Sequence, residues 1–480
     1  MRRREFLKTS IGASTLLGLG SYGLAPNKAA AAVNIDYQKT LINVMLLGGA
    51  DLRFLFAPQP GSAYAAKFWQ ARRDIYRFNT QNQARYRTYA DVWTDLYLPA
   101  EDSAGNTFGI HKNAAWLKQQ FDLGNVAIVA NVIGSDNRRH DHSQLIVNSG
   151  DNKTSQYVYD RDGWGGRLAY AIDTANTVSV TRDISVFCKG IDPTNRNQRI
   201  IHANDTRSFG LSNGDGNPNS KSSSLARALR GYYHAKRRQV ANRPAAWPYH
   251  KFLQHEESLR QFGDAYNARL ETVSPLRPES LQALFTAGSG NRLNSSDFGL
   301  QCANIYDAFL GADLFQMRIA SMEYPGWDTH NHEMSRFETN IIDLFGAGKG
   351  LDSLTQALDP LGINDQLLYT FNTDFGRQLK ANGDFGTDHG CGNYMILLGR
   401  GINGGVYGEM FPASEITGIT GQTRYDQLGA DIEGLTSFDQ ILSRACDWVA
   451  PGSGFQVFPD ADIGYPMIEA GVDLDTIFPA

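Results

Sequence analysis

Short apolar runs that end on glycine or on a polar cluster recur along the chain. Thr40–Leu47 (TLINVMLL) is the first, stopped by Gly48 and Gly49, and residues 125–133 (NVAIVANVI) are the second. Each is too short for a buried helix and too evenly apolar for a strand with one wet face, which is the pattern of strands covered on both sides. Residues 315–322 and 367–371 repeat it. Between these runs, apolar positions at helical spacing predict helices over 114–121, 168–175, 300–309, 335–358 and 432–449. Strands that alternate with helices predict an α/β fold with a doubly wound, mostly parallel sheet.

Two stretches depart from this rhythm. Residues 64–98 interleave aromatics and arginines without a clean period, and read as a covering segment over the sheet. From 204 to 297 serine, asparagine, glycine and arginine take over around a basic helix, which reads as a helical insertion or lid; Pro275 and Pro278 mark a break in it. The last thirty residues, 451–480, read as an extended tail.

The N-terminus reads as an address. Arg3-Arg4-Glu5-Phe6-Leu7-Lys8 follows the twin-arginine pattern, an apolar stretch covers 11–24, and Ala29 to Ala32 suit cleavage. A signal peptide over 1–32, recognition by the twin-arginine translocase and a periplasmic or secreted destination are therefore expected. One main α/β domain would then fill 33–450. No later run is long and apolar enough to span a bilayer. The formal charge of −5 over 480 residues gives no basic excess for nucleic acid. Four cysteines are too scattered for a zinc knuckle and are expected in the core.

Candidate chemistry gathers where the predicted strands end, the edge at which α/β sheets place ligands. Asp51 follows the first strand. Residues 135–143 follow the second and pack Ser135, Arg138, Arg139, His140, Asp141, His142 and Ser143 before a helix, a natural anion cradle. Asp328 and His332, four apart with His330 between them, follow the third. Asp374 follows the fourth, and a glycine-bounded turn then carries Asp388 and His389. Carboxylate with neutral imidazole suits zinc, manganese or iron, whereas calcium prefers oxygen alone. The plainer alternative stays open: Asp51 as a turn residue, Asp328 as a cap and the histidines as surface side chains.

These segments together carry a family likeness. GGAD (48–51), NRRH (137–140), GWGGR (163–167), GWDTH (326–330), DFGR (374–377), GTDHG (386–390) and GGVYG (404–408) resemble the domain-of-unknown-function 1501 family, which is itself similar to the alkaline phosphatase and sulfatase superfamily. The resemblance implies a divalent-metal site at the strand ends. Asp51 would be the first ligand, Asp328 and His332 the spaced pair, Asp374 the next acid and His389 the last imidazole. Two positions depart from the pattern. Phe375 stands where the superfamily has a histidine, and Arg139 stands where a serine normally precedes the histidine.

The ligand set then divides. Asp328, His332 and His389 would form an open three-ligand site able to lower the pKa of bound water, with Asp51 and Asp374 holding a second ion or orienting the first site's ligands. Ser143 or Ser135 would supply a nucleophile, while His140, Arg138 and Arg377 steady the anionic ester oxygens and Asp388 orients a ligand. The expected function is an exported metal-dependent hydrolase, with zinc as the first choice of ion and manganese or iron as alternatives. It would act on phosphate or sulfate esters of a small molecule or polysaccharide. The alternative is an exported binding or assembly protein that keeps the fold without turnover.

Overall fold

The computed structural model describes residues 37–77, 85–151, 162–172, 176–190, 200–203, 205–207, 221–239, 247–273, 276–285, 297–417, 419, 431–461 and 468–479. The twin-arginine segment lies outside these residues. Its strands are β1 (Thr40–Leu47), β2 (Phe56–Pro58), β3 (Tyr97–Glu101), β4 (Thr107–His111), β5 (Val126–Ile133), β6 (Asn176–Ser179), β7 (Ile200–His202), β8 (Met317–Pro325), β9 (Leu367–Thr373), β10 (Arg377–Ala381), β11 (Thr387–His389), β12 (Asn393–Leu398), β13 (Gly405–Tyr407) and β14 (Thr436–Ser437).

The main sheet runs β13-β5-β12-β9-β1-β8-β6-β7, with β14 beside β5. β1 pairs in parallel with β8 on one edge and β9 on the other. The sheet is mostly parallel. β12 is the exception, antiparallel to both β5 and β9. Because β12 opposes both neighbours, β5 points the same way as β9, β1 and β8. The C-terminal ends of these four strands therefore share one sheet edge.

Alternation along β1 shows both faces covered. Ile42, Val44 and Leu46 enter one apolar layer with the helices Asp297–Leu310, Glu333–Phe345 and Gly350–Leu358. Leu41 enters the other, with Trp164–Ile172 and Phe438–Val449. Side chains on a strand point alternately to opposite faces, so a strand apolar throughout needs two such layers.

Several expectations need correction. The predicted helix over 335–358 is two helices, because the chain turns at Gly346 to Lys349 and Gly348 takes φ +67°. Residues 64–98 do more than cover the sheet: Ala63–Arg77 and Tyr89–Leu96 are helices, β3 belongs to a small β2-β4-β3 sheet, and Arg72 is fully buried. The last thirty residues are no extended tail. Ser453–Val457 is helical, and Val457, Leu474 and Ile477 are buried in the second layer. In the insertion, the helices Lys221–Gln239 and Trp247–Val273 are present, and Phe262 packs on Phe315 with ring centroids 5.0 Å apart, which ties the second helix to the core.

Candidate metal centre

The turn after β1 sets the floor of the site. Gly48 takes φ +120°, and a Cβ there would lie 2.4 Å from the backbone nitrogen of Asp328. Only glycine lets the β1 and β8 ends approach so closely. Arg377, fully buried at the start of β10, holds the segments together. Its Nε donates to the Gly49 carbonyl (2.8 Å), Nη2 to the Gly48 carbonyl (2.6 Å) and Nη1 to the Thr387 carbonyl (2.9 Å). Nη2 also meets Asp328 Oδ1 at 2.5 Å. Arg377 thus binds the loops after β1, β8 and β9 with one planar donor set.

On this floor Asp328 Oδ1 becomes a hub. His330 Nε2 lies 3.2 Å from it, and His140 Nε2 and His389 Nε2 each lie 3.5 Å away. His140, Asp328 and His389 present ligand atoms that all lie within 4.8 Å of one another. Each imidazole reaches the hub from a different element: His140 from the first turn of His140–Ser149 after β5, His330 from the loop after β8, and His389 from β11, where it pairs with Arg377.

Every one of these rings has its other nitrogen engaged. His140 Nδ1 lies 2.7 Å from Asp374 Oδ2, His389 Nδ1 lies 2.7 Å from the Arg138 carbonyl, and His330 Nδ1 lies 3.1 Å from Asp388 Oδ1. Carbonyls and carboxylates only accept, so each Nδ1 carries a hydrogen, and it is the Nε2 atoms that face Asp328. His140 Nε2 is buried and has no hydrogen-bond partner. Ring orientation by an acceptor behind the coordinating nitrogen is the usual support of a metal-ligating histidine.

The electrostatics follow from these partners. The hydrogen bond to Asp374 raises the pKa of His140 against the opposing effect of burial. Burial lowers that of His389. Asp328 is half exposed; burial pushes its carboxyl up, but the hydrogen bond and charge of Arg377 prevail and hold it below the ordinary range.

The other expected residues occupy different places. His332 does not join the convergent set; it caps Glu333–Phe345 with φ +46° and stacks on Phe385 at 5.9 Å. The helix begins only at Glu333, so the four-residue spacing from Asp328 never becomes one helical turn. Asp51 is buried and paired with Arg72 at 2.6 Å. Asp374 is fully buried and acts behind His140, accepting also from Gln144 Nε2 (2.9 Å) and the Gly48 N–H (3.2 Å). Phe375 packs under the rings, with centroids 4.8 Å from His140 and 4.5 Å from His389.

The expected anion-binding and nucleophilic groups are also engaged elsewhere. Ser143 is fully buried; its hydroxyl donates to the Asn137 carbonyl and lies 3.1 Å from the Ser135 hydroxyl. Arg138 pairs with Asp431, and Arg139 pairs with Asp141. The ring passed over in the sequence is His330, whose Nε2 lies nearest to Asp328 Oδ1, and the Asp-x-His spacing on a loop was the signal for it.

Sequence comparison finds a family match over part of this centre. Residues 279–438 match DUF1501, a protein of unknown function. No curated protein matches the chain. The DUF1501 segment contains Asp328, His330, Asp374, Arg377 and His389, whereas His140, Asp51 and Arg72 lie before it. Both β8 and β9 fall inside the DUF1501 segment, and β1, which sits between them, falls outside.

Proposed function

We propose that this chain is a metal-dependent hydrolase of anionic esters, phosphate or sulfate, built on an alkaline-phosphatase-like arrangement and exported through the twin-arginine pathway. The observation that carries the reading is the convergence of His140, His389 and Asp328, with His330 beside them. Three imidazole nitrogens and a carboxylate oxygen meet around one point, as the ligands of a cation do. The donor set therefore fits a divalent ion, and the unpartnered, buried Nε2 of His140 points the same way.

When bound, such an ion acts as a Lewis acid toward water and ester oxygens. The chain's own residues do the rest. Asp374, the Arg138 carbonyl and Asp388 hold the rings in the required tautomer. Arg377 fixes Asp328 from below, and Phe375 walls off water beneath two of the rings. The half-exposed carboxyl of Asp328 leaves the upper side open to an incoming group.

The second reading, a binding or assembly protein without turnover, draws on different observations. Ser143 and Ser135 are buried against each other, and the Arg72 guanidinium already occupies Asp51. The test uses the full chain purified from the compartment to which it is exported. Metal content is measured, then hydrolysis of an aryl phosphate and an aryl sulfate, with Asp328→Ala and His389→Ala as controls. The hydrolase reading expects bound metal and turnover that both substitutions abolish. Bound metal without substitution-sensitive turnover favours the binding reading, and a chain that holds no metal overturns the hydrolase reading.

A further inference from the structure

We infer that His330 is a fourth protein ligand, and that the ion at this centre is five- or six-coordinate rather than tetrahedral. This rests on the metal reading above and extends it to a residue outside the three-donor set. His330 Nε2 is the closest imidazole nitrogen to the hub, 3.2 Å from Asp328 Oδ1. It also lies 2.8 Å from His389 Nε2. That contact is within hydrogen-bonding distance, so the two Nε2 atoms already converge, and a cation held by both would take the place of a proton shared between them.

The position of His330 is built rather than incidental. Asn382 Nδ2 donates to the His330 carbonyl at 2.8 Å and to Asp388 Oδ1 at 3.2 Å, so one amide fixes both the ring's backbone and its orienting acid. A Cβ at Gly386 would lie 2.2 Å from the Thr329 carbonyl oxygen, so the hairpin bearing His389 and the loop bearing His330 are in direct backbone contact. Thr387 N–H donates to the same carbonyl at 3.3 Å.

Coordination number follows from ligand count. Catalytic zinc keeps three protein ligands and one open position, whereas four protein ligands close a tetrahedron, so a fourth protein ligand at a site that still admits water requires more than four positions. Three imidazoles and a carboxylate on an ion of higher coordination number leave one or two positions for a water or an ester oxygen. Iron(II) and manganese(II) take such sets readily.

Cobalt(II) reports the geometry without reference to turnover, because tetrahedral cobalt absorbs far more strongly in the visible than five- or six-coordinate cobalt. Metal-free full-length chain is reloaded with cobalt(II), and the spectrum and the affinity by chelator competition are recorded for wild type, His330→Ala and Asp388→Asn. The expected wild-type bands are weak. His330→Ala is expected to hold cobalt more than about tenfold less tightly, with severalfold stronger bands as the site falls to four ligands. Asp388→Asn is expected to weaken binding to a lesser extent, and unfolding midpoints of both variants confirm that they fold. An intense tetrahedral spectrum in wild type, or His330→Ala with unchanged spectrum and affinity, overturns the inference. Hydrolysis is scored separately, so a loaded chain that turns over no ester refutes the hydrolase reading and leaves the ligand assignment standing.

Discussion

Replacing Glu333 with glutamine should stabilise the protein near neutral pH, and by more as the pH rises. Glu333, Asp51 and Arg72 are all buried beneath the site, two acids for one guanidinium. Arg72 pairs with Asp51 at 2.6 Å, and burial together with the charge of Asp51 pushes the Glu333 carboxyl well above the ordinary glutamate range. Glu333 therefore keeps its proton and donates it to Asp51, while its other oxygen accepts from the Thr387 hydroxyl at 2.9 Å. A glutamine reproduces both contacts, its amide donating and its carbonyl accepting.

The sign of the pH effect follows from proton counts. Above the ordinary glutamate value of 4.5 the unfolded chain has released this proton and the folded chain has not. Wild type therefore loses about 1.4 kcal/mol of stability per pH unit for as long as Glu333 stays protonated. Below that value the loss vanishes. Glutamine does not titrate, and the remaining groups are shared, so the stability difference between variant and wild type should climb with that slope. A constant offset of about 1 kcal/mol comes from the amide's extra N–H.

Urea unfolding of metal-free protein from about pH 5 to about pH 7 measures the difference directly. A flat difference, or one that falls with pH, would show Glu333 ionised and refute the reasoning. The double substitution Asp51→Asn with Glu333→Gln leaves Arg72 buried without a counter-ion, and should cost about 3–5 kcal/mol.

Three further outcomes are expected. Asp374→Asn removes the acceptor that orients His140 and should weaken metal binding by about 10- to 100-fold in chelator competition; unchanged affinity would remove Asp374 from that role. Ser143→Ala should leave ester hydrolysis within about twofold, because the hydroxyl is buried and bound to the Asn137 carbonyl; loss of turnover would reinstate it as a nucleophile. Phe375→His should not add a second ion, because Asp51 remains paired with Arg72; elemental analysis showing two ions per chain would contradict this.

The four strand ends that build the centre were legible in the sequence because each strand is a short, mostly apolar run closed by glycine or a polar cluster. Asp328, His389 and Asp374 could be chosen on residue type and position. His330 and His332 could not be separated by type, and the four-residue spacing of the superfamily pattern favoured His332. The observed segment from Asp328 to His332 is a loop ahead of the helix that starts at Glu333, and it brings His330 in instead. Arg377 was given the wrong role, and Arg72 none, for another reason. Arginine is most often exposed, so its burial here is set by carbonyls and carboxylates from remote segments that no local pattern announces. The antiparallel β12 is equally a tertiary outcome, since its apolar run reads the same in either direction.

The place of β1 has a consequence for any attempt to shorten the chain. Its neighbours β8 and β9 are made late in synthesis, so the first strand to leave the ribosome must wait for partners from the far half of the polypeptide, a slow and exposed route. Conversely, a fragment cut to 279–438 would carry β8 and β9 with a vacant lane between them and two raw edges prone to self-association. The matched region is thus a piece of a molecule and not a portable unit, and only the longer polypeptide can assemble the ring of imidazoles.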